Sequence, residues 1–260
     1  MQPTTRAKDP QRGYSLVEVM VAITIALFLL GGTLTVVQHT RSTYTAQNQL
    51  AQLQDNERTA MALITDVIQS AGYYPNPHTF SDAQTLVSPS FTVPGTPNIA
   101  AGPATAPPGT LVGQTITVRY AAAPGDNVFN CRGDQYTGTA LFETWENTFS
   151  VVKLAAVQGV PQYQLQCTLW SLSTNKSVTT ALVTGVQNMS FQYAVNTAGP
   201  GTGSCADRYK ATAAMLAADW PNICSVKVTL TFPNPFNPPG GTKPTLTFTR
   251  VIAAMNAVGT

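Results

Sequence analysis

At 260 residues the chain is long enough to bury a substantial core. Only 10% of it is charged, against roughly 25% in typical soluble domains, while 43% is apolar, which excludes a charge-rich coiled coil or a highly charged disordered chain. The net charge of +2 belongs to residues 1–13, where Arg6, Lys8 and Arg12 outnumber Asp9; the rest is balanced, so a broad basic footprint for nucleic acid is absent.

From Tyr14 to Val37 the sequence reads YSLVEVMVAITIALFLLGGTLTVV, with Glu18 as its one ionisable side chain. As a helix this run measures about 36 Å, enough to cross a ~30 Å hydrocarbon core with some tilt. It is too long for the apolar region of a secretory signal, and no A-x-A cleavage site follows it. The preceding basic residues place residues 1–13 in the cytoplasm and export the remainder. Glu18 is the anomaly, because a carboxylate at mid-bilayer costs about 2.5–3.5 kcal/mol even on the mild insertion scale. Nearer the cytoplasmic interface the cost falls, and a cut after Gly13 would create a partner, the α-ammonium of Tyr14 one helical turn away.

Gly13-Tyr14-Ser15-Leu16-Val17-Glu18, behind a short basic leader and ahead of an unbroken apolar run, resembles the class III signal of type IV pilins and pseudopilins. Tyrosine stands where that family usually has phenylalanine. The resemblance implies cleavage by prepilin peptidase between Gly13 and Tyr14, N-methylation of Tyr14, and pairing of Glu18 with the new terminal amine of a neighbouring subunit.

Beyond Gln38 polar residues appear, yet the helical pattern continues. Leu50, Leu53, Glu57, Ala60, Ile64, Val67 and Ala71 recur at steps of three and four, widened by Met61 and Ile68, as on a helix lying against a core. No proline falls between Tyr14 and Tyr74; Gly31-Gly32 is a local soft point, and Gly72 followed by Pro75 and Pro77 ends the helix. Glu57 on the seam and the small alanines argue against a self-standing coiled coil. The stretch from Leu53 to Pro75 resembles the stem end of PilW-type minor pilins.

Residues 75–125 are rich in proline and glycine and read as an irregular connection. Strand patterns follow at Ile116/Val118/Tyr120, Phe149–Val157, Tyr163–Leu169, Phe191/Tyr193/Val195, Val226–Phe232 and Leu246–Ile252, the last two forming a hairpin. Lys210–Ala218 reads as a further helix. The expected fold class is α+β, a long N-terminal helix packed on an antiparallel sheet. Residues 182–195 and 249–256 also resemble the PilW head. The expected organisation is a leader (1–13), a transmembrane and assembly helix (14–37), an amphipathic stem (38–74), the connection (75–125) and a β-rich head (126–260).

Cys131, Cys167, Cys205 and Cys224 are even in number, widely spaced and contain no C-x-x-C, which favours two disulfides in an oxidising compartment. Cys131–Cys167 with Cys205–Cys224 is the most local of three connectivities. His39 and His78 are distant from these thiols, so a zinc site is unsupported. Neither histidine has a nucleophile beside it, and no catalytic residue or cofactor is expected. Gly199–Gly203 reads as a loop, Glu143 and Glu146 as partly exposed acids, and Arg132-Gly133-Asp134 as a polar turn rather than a receptor tripeptide. The spacing of Asp126, Asn127 and Asp134 does not fit an EF-hand.

The resemblance implies a minor pilin, a structural subunit that helps initiate a type IV pilus. Its partners would be other minor pilins, the major pilin, prepilin peptidase, the inner-membrane assembly platform and membrane lipid. A tip adhesin is a further partner, and no nucleic acid is expected. It would reside as a single-pass protein of the inner membrane with a periplasmic head, then in the extracellular pilus. The alternatives are a type II secretion pseudopilin or a membrane-anchored extracellular adhesin.

Overall fold

The computed structural model describes residues 15–75, 99–101, 110–157, 159–196, 208–216, 219–220, 223–236, 242 and 244–254. Among these, one helix, α1 (Leu16–Gln69), precedes nine strands. They are β1 (Ile99–Ala101), β2 (Thr110–Ala122), β3 (Glu143–Val157), β4 (Val160–Ser171), β5 (Lys176–Thr184), β6 (Asn188–Val195), β7 (Arg208–Ala211), β8 (Ile223–Pro233) and β9 (Thr245–Ala253). The fold is α+β and pilin-like: a long apolar N-terminal helix and antiparallel sheets. Contacts divide the chain into a unit of residues 1–49 and a head unit from Leu50 onward.

Within the head, the stripe foreseen on the helix is the buried one. Leu53, Ala60, Met61, Ile64, Val67, Ile68 and Ala71 are all buried in one cluster with the strands, and Glu57 lies half-buried at its edge. Each large side chain so buried contributes about 1.5–3 kcal/mol. Gly72 ends the helix in the left-handed region at φ 73°, a conformation that glycine adopts without a Cβ penalty. Its N–H donates to the Arg119 carbonyl at 2.8 Å, and the Tyr73 carbonyl accepts from Ala121 N–H at 2.9 Å, which hooks the end of the helix onto β2.

The strands form a five-stranded sheet, β1-β2-β3-β4-β5, and a four-stranded sheet, β7-β6-β8-β9, with every pairing antiparallel. Phe149–Val157 belongs to the central strand β3, and β8–β9 form the expected hairpin. The two sheets meet at a β-bulge between Val112 and Ile116. Gly113 there has φ 76°, and a Cβ would meet Asn188 Oδ1 and lie 2.6 Å from the Met189 carbonyl oxygen. Gln114 Oε1 then accepts the Phe191 N–H at 2.7 Å, joining β2 to β6.

The structure departs from expectation in three places. The segment 75–125, read as connection, supplies β1 and β2, so core residues Ile116, Val118 and Tyr120 lie ahead of the expected head boundary. The helix read over Lys210–Ala218 begins instead as strand β7, paired with β6 through Tyr193↔Lys210, and continues as a 3-10 turn at Thr212–Ala214. Alanine-rich propensity is a weak preference that cross-strand pairing overrides. Glu143 and Glu146, read as partly exposed, are buried on β3.

Candidate membrane-anchoring and assembly site

The helix opens at Ser15, whose carbonyl accepts the N–H of Val19 at 3.2 Å. Glu18 therefore sits in the first turn, exposed, where an acid favours the positive end of the helix dipole by about 0.3–1 kcal/mol. Gly13 and Tyr14, the expected cleavage and methylation positions, lie outside the described residues.

From Leu16 to Val37 the apolar side chains point outward all round the helix; Phe28, for example, is 79% exposed. This helix is long and apolar enough to cross a membrane. Its threonines suit such a setting. Thr24 donates to the Met20 carbonyl (2.8 Å), Thr33 to Leu30 (2.9 Å) and Thr35 to Gly31 (2.9 Å), so their hydroxyls need no water. Gly31 and Gly32 remain helical, and a Cβ on either would meet nothing within 4 Å. An apolar surface of this extent requires a covering of lipid or other helices.

Among the described residues of the head, the two acids of β3 are packed into polar contacts. Glu146 pairs with Arg119 directly across β2–β3; Arg119 Nε and Nη2 lie 3.2 and 3.1 Å from Glu146 Oε1, with both side chains buried. Glu143 accepts from Ser171 Oγ at 3.0 Å, from Ser173 N at 3.1 Å and from the Ser173 hydroxyl. Being three residues apart on a strand of period two, these acids face opposite sides of the sheet and cannot act as a pair. Burial pushes the Tyr120 and Tyr193 hydroxyls above their ordinary range, so neither ionises near neutrality.

The remaining candidates are spent on local structure. Asp126 accepts the N–H of Ala123 (2.7 Å) and of Val128 (3.2 Å), while Asn127 accepts from Gln135 (3.2 Å). Arg132-Gly133-Asp134 is a turn: the Asn130 side chain accepts the N–H groups of Arg132 (2.9 Å) and Asp134 (3.1 Å), and Arg132 pairs with Asp134 at 3.5 Å. No metal-holding group of three His, Cys, Asp or Glu occurs among the described residues. His39 is exposed on α1; His78 and Gly199–Gly203 lie outside the described residues.

Cys131 and Cys167 form a disulfide across 36 positions of sequence, with Cα atoms 6.2 Å apart. It ties the β2–β3 loop to β4 and contributes about 4 kcal/mol in the chain-entropy account. Cys224 is buried, and Cys205 lies outside the described residues. Asn147 went unnoticed in the sequence, yet its Oδ1 accepts the Cys131 N–H at 2.9 Å and seats that loop.

Two family models match the chain. One, described as Type IV Pilus-assembly protein W, covers residues 148–250. The other, the prokaryotic N-terminal methylation motif, covers residues 8–34. No curated protein matches the chain. The first match falls on the strands of the head and the second on the N-terminal residues and the start of the apolar helix, including Gly13, Tyr14 and Glu18.

Proposed function

This chain is a type IV pilin-like protein of the PilW type, and on that premise we propose that it is a minor pilin acting in the initiation of pilus assembly, at or near the filament tip. It is a structural subunit, not an enzyme. Prepilin peptidase removes residues 1–13 at the cytoplasmic face of the inner membrane, and Tyr14 is then N-methylated. The helix from Tyr14 to Val37 holds the subunit in the bilayer with its head in the periplasm until it joins other minor pilins and the major pilin. Residues 38–74 serve as the stem that carries the head.

The observation that carries this reading is Glu18, an exposed acid in the first turn of an apolar helix, inside the matched methylation motif. Cleavage gives Tyr14 a cationic amine. The Glu18 carboxylate of one subunit meets the amine of another as their helices pack. Two charges that are each costly in lipid thereby become one satisfied pair, which selects register and order of entry. Glu18→Ala and Glu18→Val proteins are expected to insert and be cleaved, yet leave cells with few or no pili by electron microscopy. Normal pilus numbers in either strain would refute the role. Deletion should abolish twitching motility and spare enzyme secretion; the reverse pattern would favour a secretion pseudopilin.

A further inference from the structure

Within the head, the last turn of α1 and the loop after β2 border a cleft of about 470 Å³, inside the ~300–1,000 Å³ range of sites that take a small group. Asp66, Gln69 and Ser70 line it from the helix, Tyr73 from just past the helix end, and Asn127 and Phe129 from the loop. The loop wall is fixed before anything binds. Asp126 accepts the Val128 N–H at 3.2 Å, and the Tyr120 hydroxyl donates to the Phe129 carbonyl at 2.6 Å.

The cleft is negative. Asp66 is exposed, Asp126 stands beside Tyr73, and the helix ends here, where its dipole is negative, without a basic residue in its last turn. Burial, and after it the Asp126 carboxylate, raises the Tyr73 hydroxyl above its ordinary value. Among the described residues no ion pair reaches Asp66 or Asp126. The chain on either side supplies no strong cation. No lysine or arginine occurs between Arg58 and Arg119, residues 76–98 and 102–109 included, and Arg119 is committed to Glu146; His78 is the one imidazole in that stretch. A bare metal ion is poorly served, because no group of three His, Cys, Asp or Glu occurs among the described residues. Phe129, 50% exposed, adds an aromatic wall. A carboxylate and a ring together suit a guanidinium, whose plane stacks on the ring while its fork bonds the carboxylate, better than a compact ammonium.

We infer that this cleft receives an arginine side chain presented by a neighbouring pilus subunit. Asp66 holds the guanidinium, Phe129 covers its face, and the carbonyl end of α1 supports the charge. That the neighbour is a pilus subunit rests on the minor-pilin reading. The test uses the full chain in detergent micelles, with acetyl-Gly-Arg-Gly-amide as the probe and the amide NMR signals of Asn127, Val128 and Phe129 as the readout. Saturable shifts at these signals are expected. The uncharged citrulline tripeptide should bind about tenfold or more weakly, and D66N should weaken the arginine tripeptide as much. D55N, three turns earlier on the same helix, should leave binding unchanged. Equal binding of the two tripeptides, unchanged binding in D66N, or no saturable shift overturns the inference. Tighter binding of spermidine than of the arginine tripeptide overturns it as well, since the ligand is then a free polyamine. In cells, D66N should lower pilus number while the chain still accumulates; full piliation overturns the subunit contact. Normal pili in a Glu18→Ala strain would instead remove the minor-pilin reading and leave the tripeptide result standing.

Discussion

Two stretches of one helix obey opposite rules. Between Leu16 and Val37 every side chain is exposed, whereas between Leu53 and Ala71 a stripe of seven residues is almost wholly buried. Hydroxyls on the helix bond back to it in both stretches, Thr24, Thr33 and Thr35 in the apolar one and Thr65 and Ser70 in the head, while on the strands Thr117 bonds Thr148 at 2.8 Å and Thr168 bonds Thr179 at 2.9 Å. Glu18 is exposed; Glu146 is buried against Arg119. The head carries its stabilising partners within the chain, and the apolar segment must find them in lipid or in other subunits. Secondary structure alone does not separate the two; burial and polar satisfaction do.

Substitutions in both regions sharpen that contrast. The largest effect is expected in the head's buried pair. Arg119→Met leaves the Glu146 carboxylate without its guanidinium and should cost about 3–5 kcal/mol in denaturant unfolding followed through buried Trp145. R119M/E146L should recover most of that loss. If the double variant is no better than the single, the pair is not what holds β2 to β3. Next, Ile64→Ala removes a fully buried side chain and should destabilise the head by about 2–5 kcal/mol, whereas Ile25→Ala should leave head unfolding within about 0.5 kcal/mol of wild type. Equal effects at both positions would erase the distinction between the two stretches.

The smallest effect concerns Asp219. Its carboxyl is held below the ordinary value, first by the hydrogen bond from Lys210 at 2.8 Å and then by the N–H of Leu216. A depressed folded-state value means that the stabilisation is complete above the unfolded value of about 3.9 and is lost as pH falls through the lower, folded one. Asp219→Asn should therefore flatten the decline of thermal stability below about pH 4. An unchanged acid limb would show that the pair adds nothing.

Local pattern made much of this legible. A long apolar run, a three–four stripe and Gly72 before two prolines delimit α1, and alternation marks β2, β4, β6, β8 and β9. What stayed hidden depends on residues distant in sequence. Lys176–Thr184 lacks apolar alternation because β5 is an edge strand, mostly exposed. Lys210 looked helical until pairing with Tyr193 decided otherwise. The acids at 143 and 146 looked like surface groups because Ser171, Ser173 and Arg119 come to them only through strand register. The Gly113 bulge joining the sheets has no local signature beyond one glycine. For the apolar segment the proposal draws on spacing along one chain, that of Gly13, Tyr14 and Glu18, of which the structure describes Glu18 alone.

The most direct test of the account is the intact mass of the protein recovered from membranes or sheared filaments. A chain that begins at Tyr14 and carries one added methyl group is the expected result, since only then does Glu18 acquire a cationic partner. A protein that keeps residues 1–13 would contradict it.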